Sequence, residues 1–207
     1  MPDYQKIYLY RMTHIENIPH VVQHGITHSS SPNANRAFVP IGDNSLIATR
    51  SGFVLKNKKL LGEYIPFYFG VRMPMLYVIQ KGYNQVTATP VSDIVYCVTN
   101  VQNIMENNLA FVFTDGHAVD SFSSQYEKDD LKNIDTLLDT KAIRAKYWTD
   151  ENDLDLKRRK EAEFLVLGDI PATAVLGYLV YNEMGKQKLI NFGVNEALIY
   201  IHPQSYF

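Results

Sequence analysis

The 207-residue chain has little cysteine, no excess of either charge and no long apolar run, and each shortage excludes a class of protein. Its single cysteine, Cys97, cannot form an intramolecular disulfide, which excludes a disulfide-rich secreted scaffold and fits a reducing compartment. The formal net charge of -2 excludes a globally basic coat, so any contact with nucleic acid has to be a local patch. No stretch reaches the ~18 consecutive apolar residues of a membrane span, and the amino terminus has no signal-peptide pattern. We therefore expect a cytoplasmic protein with no membrane partner.

Several common motifs of nucleotide binding and catalysis are missing as well. There is no G-x-G-x-x-G fingerprint and no G-x-x-x-x-G-K-[ST] loop, which excludes the Rossmann and P-loop modes of phosphate binding. A G-x-S-x-G elbow is absent, and no serine is placed convincingly beside a histidine and an acid. His20 and His24 have helical spacing, but without a companion cluster of Glu, Asp or Cys they make a weak metal pair, so no metal is predicted.

Length and composition predict one ordinary globular domain spanning residues 1–207. Hydrophobic residues make up 46% of the chain and charged residues 20%, which is enough apolar surface for a core and too little charge for disorder. Aromatic residues are dominated by 14 tyrosines, against a single tryptophan. Tyrosine can stack on a base or a nicotinamide ring and is equally common as a half-buried sheet residue, so composition alone does not assign a binding groove.

Hydrophobic periodicity predicts short strands and short helices, mixed without regular βαβ spacing. Strands are predicted at 7–12, 64–69, 75–80, 94–99, 109–113, 161–167, 174–181 and 197–202. Helices are predicted between an N-cap at Asn17 and a terminating Gly25, at 46–53, at 101–107, and from Glu183. Because proline cannot donate to a sheet ladder, Pro66 is expected at the start of its strand or on an edge. This pattern predicts an α+β fold with a split, largely antiparallel sheet.

Two polar segments interrupt these elements. Residues 27–40 are rich in serine, asparagine and proline, which indicates a surface loop or a lid, and loops of this length in compact domains are usually functional or mobile. Residues 120–155 are polar with two weak helical patterns, and they end at a run of four cations, residues 157–160. That run is either a solvated face or a site that holds substrate phosphates.

The cationic run leads directly into a strand-like stretch that begins with two glutamates. Period-2 alternation places Glu161 and Glu163 on one face, so the residues alone leave both as candidates for an enclosed carboxylate. A carboxylate held in a cleft beside cations can stabilise developing positive charge or accept a proton. Since no other nucleophile is in place, an arginine and a carboxylate make the best catalytic pair, although Arg50 alone is more typical of a structural arginine. His14 and His117 each follow a predicted strand, and His14 also precedes a helix N-terminus, where phosphates and amides often bind.

Six blocks of sequence, in order and over nearly the whole chain, resemble the DarT toxins. The blocks are 10–14 with Asn17 and Pro19, 25–26, 50–52, 64–69, 113–118 and 158–166. DarT proteins are bacterial enzymes that use NAD to ADP-ribosylate a base in single-stranded DNA, and they are paired with the macrodomain antitoxin DarG. The resemblance implies an ADP-ribosyltransferase fold related to the poly(ADP-ribose) polymerases and diphtheria toxin, with a split, mainly antiparallel sheet and short helices.

The resemblance also implies roles for individual residues. The family's catalytic glutamate matches Glu163 and leaves Glu161 as a bystander, and the catalytic arginine matches Arg50. The residues that match the NAD pocket are His14, Asn17, Arg50 and Tyr68. The residues expected to face DNA are His117, Arg158 and Arg159.

The chemistry implied by the resemblance is transfer of ADP-ribose from NAD to a base, with thymine N3 as the expected acceptor. Loss of nicotinamide builds oxocarbenium character on the ribose, which a carboxylate such as Glu163 stabilises more strongly as the charge develops. Glu163 is also expected to assist removal of the proton from the base, with Arg50 stabilising base or pyrophosphate charge. Guanine in DNA, RNA and protein remain alternative acceptors. A non-catalytic module that binds single-stranded nucleic acid through its tyrosines and cations is the alternative outside enzymes.

Overall fold

One eight-stranded sheet organises residues 2–207, the part of the chain that the computed structural model describes. The strands are β1 (Tyr8–His14), β2 (Tyr64–Tyr68), β3 (Ile94–Asn100), β4 (Phe111–Thr114), β5 (Gln125–Tyr126), β6 (Glu163–Leu167), β7 (Gly177–Val180) and β8 (Ile199–Ile201). The helices are α1 (Ile18–His24), α2 (Asn44–Gly52), α3 (Pro74–Lys81), α4 (Val101–Glu106), α5 (Ile134–Leu137), α6 (Thr140–Arg144), α7 (Leu156–Lys160) and α8 (Glu183–Asn191). Within the described residues no helix is long and apolar enough to cross a bilayer.

The sheet is antiparallel and split in its middle, as the sequence predicts. Its order is β5-β4-β6-β2-β1-β3-β7-β8, and every neighbouring pair is antiparallel except the parallel β7 and β8. β1 pairs with β3 along its whole length but meets β2 at one register position only, Tyr10 opposite Tyr68. The two halves of the sheet therefore separate beyond this contact.

Alternating side chains build cores on both faces of the sheet. One face carries the largest core, in which Leu9, Phe67 and Phe164 pack with α1, α4 and α8. The other face carries two smaller cores, one around Tyr96 with α3 and one around Leu165 with the segment 55–64. Strand alternation directs the side chains at the ends of β2 and β6 nearest the split towards this second face. These side chains lie between the two smaller cores.

The strand predicted at 75–80 is wrong, because this segment forms helix α3. Pro74 occupies the first turn, where its missing N–H costs nothing, and Gly82 ends the helix in the left-handed conformation with φ +69°. Leu76 and Ile79, three residues apart, are buried on one side of the helix. A short apolar run does not distinguish a buried strand from a buried helix, and here the flanking proline and glycine decide.

The expectation that Pro66 starts its strand or lies on an edge is also wrong. Pro66 lies within β2, which is flanked by β6 and β1. The proline is tolerated because β1 and β2 have already separated at this point, so no ladder bond on that side is lost. The guanidinium of Arg11 enters the gap and donates to the carbonyl oxygen of Pro66 at 3.0 Å.

The strand predicted from residue 161 begins two residues later, at Glu163. The four cations before it form helix α7, and Glu161 is the C-cap of that helix with ψ 24°. Strand alternation therefore does not relate Glu161 to Glu163, and the premise that placed both on one face is wrong.

Most other predicted elements are confirmed with shifts of a few residues. The helix expected after Asn17 is α1, ended by Gly25 at φ +79°, and those expected at 46–53, 101–107 and from Glu183 are α2, α4 and α8. The polar segment 120–155 contains the short helices α5 and α6. Residues 27–40 contain no helix or strand.

Candidate active site

An ion pair between Arg50 and Glu163 lies at the split of the sheet. Glu163 is the first residue of β6 and its side chain is 0% exposed, while the Arg50 side chain, from α2, is 16% exposed. Nη1 of Arg50 donates to Oε1 of Glu163 at 3.0 Å, and Nη2 lies 2.8 Å from Oε2. One charge-assisted hydrogen bond and one close charge contact therefore join the two side chains.

The two carboxylate oxygens of Glu163 differ in how well they are bonded. Oε1 accepts from Nη1 of Arg50 and from the backbone N–H of Ala118 at 2.9 Å. Oε2 is in contact with Nη2, yet the two atoms are not aligned as a hydrogen bond and neither has another partner among the described residues. Oε2 is therefore a buried acceptor without a hydrogen-bond donor among the described residues.

The environment keeps Glu163 ionised. Burial alone raises the pKa of a carboxyl, but the charge and hydrogen bond of Arg50, helped by His117 and the Ala118 N–H, hold the pKa of Glu163 below its ordinary value. Arg50 shows the reciprocal effect, since burial lowers its pKa and Glu163 more than reverses this. The pair is thus a negative charge held beside a positive one.

Thr114, the last residue of β4, fixes the backbone at Glu163. Its Oγ1 accepts from the backbone N–H of Glu163 at 3.2 Å and donates to the carbonyl oxygen of Gly116 at 2.6 Å. The side chain is fully buried, so neither partner has water as a substitute. This hydroxyl joins the start of β6 to the turn that carries Ala118.

We expect Thr114→Val to lower the free energy of unfolding by about 1–3 kcal/mol, because it leaves two buried backbone groups without a partner. Urea denaturation measures the loss. Thr136→Val is the matched control, since Thr136 is exposed and its change should alter stability far less. Equal stability of the Thr114 variant and the wild type would contradict the role given to the hydroxyl.

Tyr68 and His117 join the ion pair. Tyr68 is the register partner of Glu163 across β2 and β6, and burial, with the nearby carboxylate, raises the pKa of its phenol well above the ordinary value. His117 Nε2 lies 4.0 Å from Oε1 of Glu163, and burial is the main cause of its lowered pKa. Both side chains are therefore neutral at pH 7, which makes them hydrogen-bonding rather than charged groups.

His14 lies in a neighbouring cleft rather than in the ion-pair cluster. The cleft has a volume of ≈ 770 Å³ and is lined by His14, by residues 39–45 up to the start of α2, and by 84–90. Nδ1 of His14 accepts from the backbone N–H of Glu16 at 3.2 Å, which fixes the ring and leaves Nε2 for a ligand. His14 and the beginning of the helix that carries Arg50 thus share one wall.

Asn17 uses its amide within the protein. The buried side chain donates to Oγ1 of Thr13 and to the carbonyl oxygen of Val39, both at 2.9 Å, and accepts from the N–H of Val39 at 2.8 Å. Asn17 does not serve as a side-chain N-cap of α1. It holds the end of the 27–40 segment against β1, which shapes a pocket without leaving the amide free for a ligand.

Three of the four cations of α7 have partners within the protein, and the fourth, Lys157, is exposed. Arg158 pairs with Asp155 at 2.7 Å and Asp115 at 3.1 Å, and buried Lys160 donates to the carbonyl oxygen of Ala145 at 2.6 Å. The partners of Arg159 are Asp139, Asp153 and Asp155. These side chains tie α7 to the segments around it, so only part of their charge is available to a nucleic acid.

The candidate site contains two further groups to which the sequence patterns assign no role. Arg11 is half-buried in the split beside Tyr68 and Arg50, and burial lowers its pKa. The signal for it was an arginine inside an apolar strand, between the buried Leu9 and Thr13. The Ala118 N–H is a backbone donor, and no residue type predicts where such a donor points.

Among residues 2–207 no three His, Cys, Asp or Glu side chains are grouped so that they could hold a metal ion.

Comparisons with known proteins indicate the family of this chain. Residues 10–207 match the family model described as "DarT: ssDNA thymidine ADP-ribosyltransferase, DarT". The chain is 30% identical over 182 residues to the DNA ADP-ribosyl transferase of Escherichia coli O127:H6, covering 86% of this chain and 82% of that protein. A relative from Thermosipho africanus, 29% identical over 159 residues, is a fusion of a DNA ADP-ribosyl transferase and a DNA ADP-ribosyl glycohydrolase. The match covers 76% of this chain and 38% of the fusion.

The DNA ADP-ribosyl transferase of Thermus sp. 2.9 is similar in sequence and in structure. It is 32% identical over 179 residues, covering 84% of this chain and 81% of that protein. Its complex with ADP-ribosylated single-stranded DNA aligns with a TM-score of 0.83 at 27% identity, over 100% of this chain and 98% of that one. Its complex with NAD+ aligns with a TM-score of 0.80, also at 27% identity, over 100% of this chain and 99% of that one. The chain belongs to the DarT family of single-stranded-DNA thymidine ADP-ribosyltransferases.

Proposed function

We propose that this protein consumes NAD as a substrate and transfers its ADP-ribose to N3 of thymine in single-stranded DNA, releasing nicotinamide. The observation that carries the proposal is the enclosed, ionised Glu163 with one underused carboxylate oxygen beside Arg50. The family match and the Thermus complexes with NAD+ and with ADP-ribosylated DNA support the choice of both substrates.

Glu163 is proposed to act on the ribose of NAD. As the bond from C1 of the ribose to nicotinamide breaks, positive charge develops on the sugar, and a carboxylate bound to a ribose hydroxyl stabilises that charge more than it stabilises the ground state. The electron pair of the breaking bond goes to the nicotinamide nitrogen, which leaves as a neutral ring. Oε2 of Glu163 is the atom placed to accept the hydroxyl.

Arg50 is proposed to have two functions. It keeps Glu163 ionised inside the protein, where an unpaired carboxylate would take up a proton. When NAD enters, its guanidinium moves from over Oε2 and can then face the pyrophosphate or the charge that develops on the acceptor base. Five N–H donors in a planar group allow arginine to hold one partner while it contacts another.

The NAD pocket is proposed to extend from Glu163 towards the 770 Å³ cleft. Tyr68 would line the nicotinamide end, since it lies directly opposite Glu163 in the sheet. His14 would donate through its unused Nε2 on the cleft side, because its Nδ1 already accepts a hydrogen bond. Asn17 would contribute by holding the 27–40 segment in place, because its amide is already bonded to Val39.

The DNA is proposed to approach from the side of His117. This neutral ring lies 4.0 Å from Glu163 and on the turn that also supplies the Ala118 N–H. Contacts from Arg158 and Arg159 to DNA remain predictions, and their ion pairs with aspartates reduce the charge they offer. Thymine is the proposed base because the family that matches the chain modifies thymidine.

A DNA ADP-ribosyl glycohydrolase of the DarG type is the proposed partner. The Thermosipho relative carries transferase and glycohydrolase in one chain, which couples a reaction with its reversal. We place the transfer in the bacterial cytoplasm, because NAD and single-stranded DNA meet there. Such a pair fits a toxin whose damage to DNA is reversed by its antitoxin.

Incubation with NAD and oligonucleotides that each lack one base tests the proposal. Nicotinamide release and the intact mass of each strand are measured together, with RNA and protein acceptors in parallel. We expect a gain of one ADP-ribose on every strand that contains thymine and on no other. Modification of guanine strands, of RNA or of protein would identify that molecule as the acceptor in place of thymine. Binding to DNA without nicotinamide release would favour the non-catalytic module.

A further inference from the structure

A second cavity, which we call the flank cavity, lies beside the candidate active site. Its volume is ≈ 460 Å³, and its wall is formed by the beginning of β1, the turn that follows β2, and helices α5 and α6. The aromatic and long cationic side chains in this wall are Lys6, Tyr8, Tyr10, Phe69, Arg72 and Arg144. Rings and cations together are the groups that hold single-stranded nucleic acid, because rings stack on bases and cations attract phosphates.

Strand register places the flank cavity next to Glu163. Tyr10 of β1 lies opposite Tyr68 of β2, and Tyr68 lies opposite Glu163 of β6. These three residues form one row across adjacent strands, so two strand spacings separate the backbone of Tyr10 from that of Glu163 by roughly 10 Å. Tyr10 is thus the end of the row that contains the carboxylate and also part of the cavity wall.

The flank cavity and the 770 Å³ cleft lie at opposite ends of β1. The cleft is lined by His14, the last residue of the strand, and the flank cavity by Tyr8, the first. At about 3.3 Å per residue, His14 is roughly 13 Å along the strand from Tyr10, and Tyr8 is roughly 7 Å in the other direction. Ligands in the two cavities would therefore approach the row of Tyr10, Tyr68 and Glu163 from opposite directions. Since NAD is proposed for the cleft, the flank cavity is left for the DNA.

Two cations of the flank cavity have no carboxylate partner, in contrast to Arg158 and Arg159. Among residues 2–207 no ion pair joins Arg72 or Arg144 to an acid. Of the two acids in the wall, one is Asp3, which pairs with Lys6 at 2.9 Å, and the other is the exposed Asp135. The wall therefore keeps positive charge that a phosphate can use.

Arg72 is held in the wall by its neighbours. Its backbone has φ +57°, in the left-handed region that costs free energy in residues other than glycine. Its guanidinium lies 4.2 Å from the centre of the Phe207 ring and donates to the carbonyl oxygen of Tyr206. Its Nε has no hydrogen-bond partner among the described residues. These contacts fix the charge of Arg72 at the cavity.

Tyr8 and Arg144 are the parts of the wall that face solvent. Tyr8 is 47% exposed and Arg144 is exposed, and neither side chain makes a hydrogen bond among the described residues. The residues on either side of Arg144 are held from below, because buried Lys160 donates to the carbonyl oxygens of Ile143 at 3.2 Å and Ala145 at 2.6 Å. The end of α6 is therefore fixed while the guanidinium of Arg144 is available to a ligand.

We propose that the flank cavity binds a nucleotide adjacent to the target thymine, which rests on the function proposed above. The base of this nucleotide stacks on the ring of Tyr8, and its phosphate is attracted by Arg72 and Arg144. Every base has a face that can stack, so the cavity holds the flanking nucleotide without selecting its base. The strand then crosses the sheet from the side of His117, over Glu163, to the start of β1.

Tyr8→Ala and Arg144→Gln test the flank cavity, with Tyr200→Ala and Lys141→Gln as matched controls. Tyr200 is an exposed strand tyrosine outside the cavity, and Lys141 is an exposed cation on α6 that does not line it. We expect each cavity variant to raise the KM for a strand with one central thymine on the order of 10-fold. The kcat, the melting temperature and its shift on NAD binding should be unchanged, because the lost contact is made equally before and during the reaction. The controls should behave as the wild type.

An abasic scan separates a nucleotide site from a general effect on the fold. The nucleotides on each side of the thymine are replaced one at a time by an abasic residue. One position should raise the wild-type KM as much as Tyr8→Ala does, and at that position Tyr8→Ala should cause no further loss. Arg144→Gln should reduce the slope of log affinity against log salt by about 0.7, the value for one phosphate contact on a single strand.

Wild-type KM values for Tyr8→Ala and Arg144→Gln would overturn the inference, as would a Tyr8→Ala loss that persists at every abasic position. A smaller melting-temperature shift with NAD would also overturn it, because the cavity would then belong to the NAD site. Binding of the same strands without NAD is measured in parallel by fluorescence anisotropy. If the wild type binds the strands but modifies none, the proposed function fails, and the affinities of the variants still decide whether the cavity binds DNA. If the wild type binds none of them, both fail.

Discussion

Replacing Glu163 with glutamine is expected to lower ADP-ribose transfer on the order of 10³-fold, the upper range for losing one group that stabilises transition-state charge. Glutamine has nearly the same shape, so NAD still fits, but a neutral amide does not stabilise an oxocarbenium ion. Nicotinamide release and DNA modification should fall together, because both follow from cleavage of the same bond. Single-turnover assays with saturating NAD measure the chemical step.

The same substitution should destabilise the protein. It leaves the largely buried Arg50 without its counter-charge, and breaking a buried ion pair from one side costs about 3–5 kcal/mol. The folded-state pKa of Glu163 is depressed, so its carboxylate contributes to the free energy of unfolding above the unfolded-state pKa. This contribution is lost as the pH falls through the folded-state pKa. The gap in stability between wild type and variant should therefore close in acid. Full transfer activity in a folded Glu163→Gln protein would remove Glu163 from the reaction.

Arg50→Gln is expected to lower the rate of ADP-ribose transfer on the order of 10²-fold, for a different physical reason. Without the guanidinium, burial dominates at Glu163, so the pKa of this carboxyl should rise and more of it should be protonated. Transfer by the variant should then recover in part as pH is raised, which Glu163→Gln cannot do. A pH series of initial rates distinguishes the two.

Arg50→Lys and the double variant serve as controls for Arg50→Gln. Lysine keeps the charge but loses the two-point contact, so its pH profile should resemble that of the wild type more than that of the glutamine variant. Replacing both residues removes both charges, so the double variant should lose less stability than the sum of the single losses. Additive stability losses, or an Arg50→Gln profile without alkaline recovery, would contradict the account of the pair.

The sequence predicted the split antiparallel sheet because its strands are short, apolar and irregularly spaced. It did not predict α3, since Leu76 and Ile79 fit a buried strand as well as a buried helix. Pro66 was misplaced because the rule that keeps proline at edges assumes a continuous ladder, and here the ladder is interrupted between β1 and β2. That interruption depends on tertiary structure and has no local signal.

In the site, motif resemblance was needed to choose Glu163 over Glu161. Alternation had treated them as equivalent, whereas the chain turns at Glu161 before β6 begins. The contact between Arg50 and Glu163 joins residues far apart in the chain, so only the fold reveals its two-point geometry. The aspartates that pair with Arg158 and Arg159 explain why a run of cations did not have to be a nucleic-acid surface.

The central claim is that the enclosed Glu163 drives transfer of ADP-ribose to thymine. Intact-mass measurement of an oligonucleotide with a single thymine, incubated with NAD and either wild type or Glu163→Gln, tests it most directly. The account predicts one added ADP-ribose with the wild type, located on the thymine by fragmentation, and an unmodified strand with the folded variant. An unmodified strand with the wild type, or a fully modified one with the variant, would contradict it.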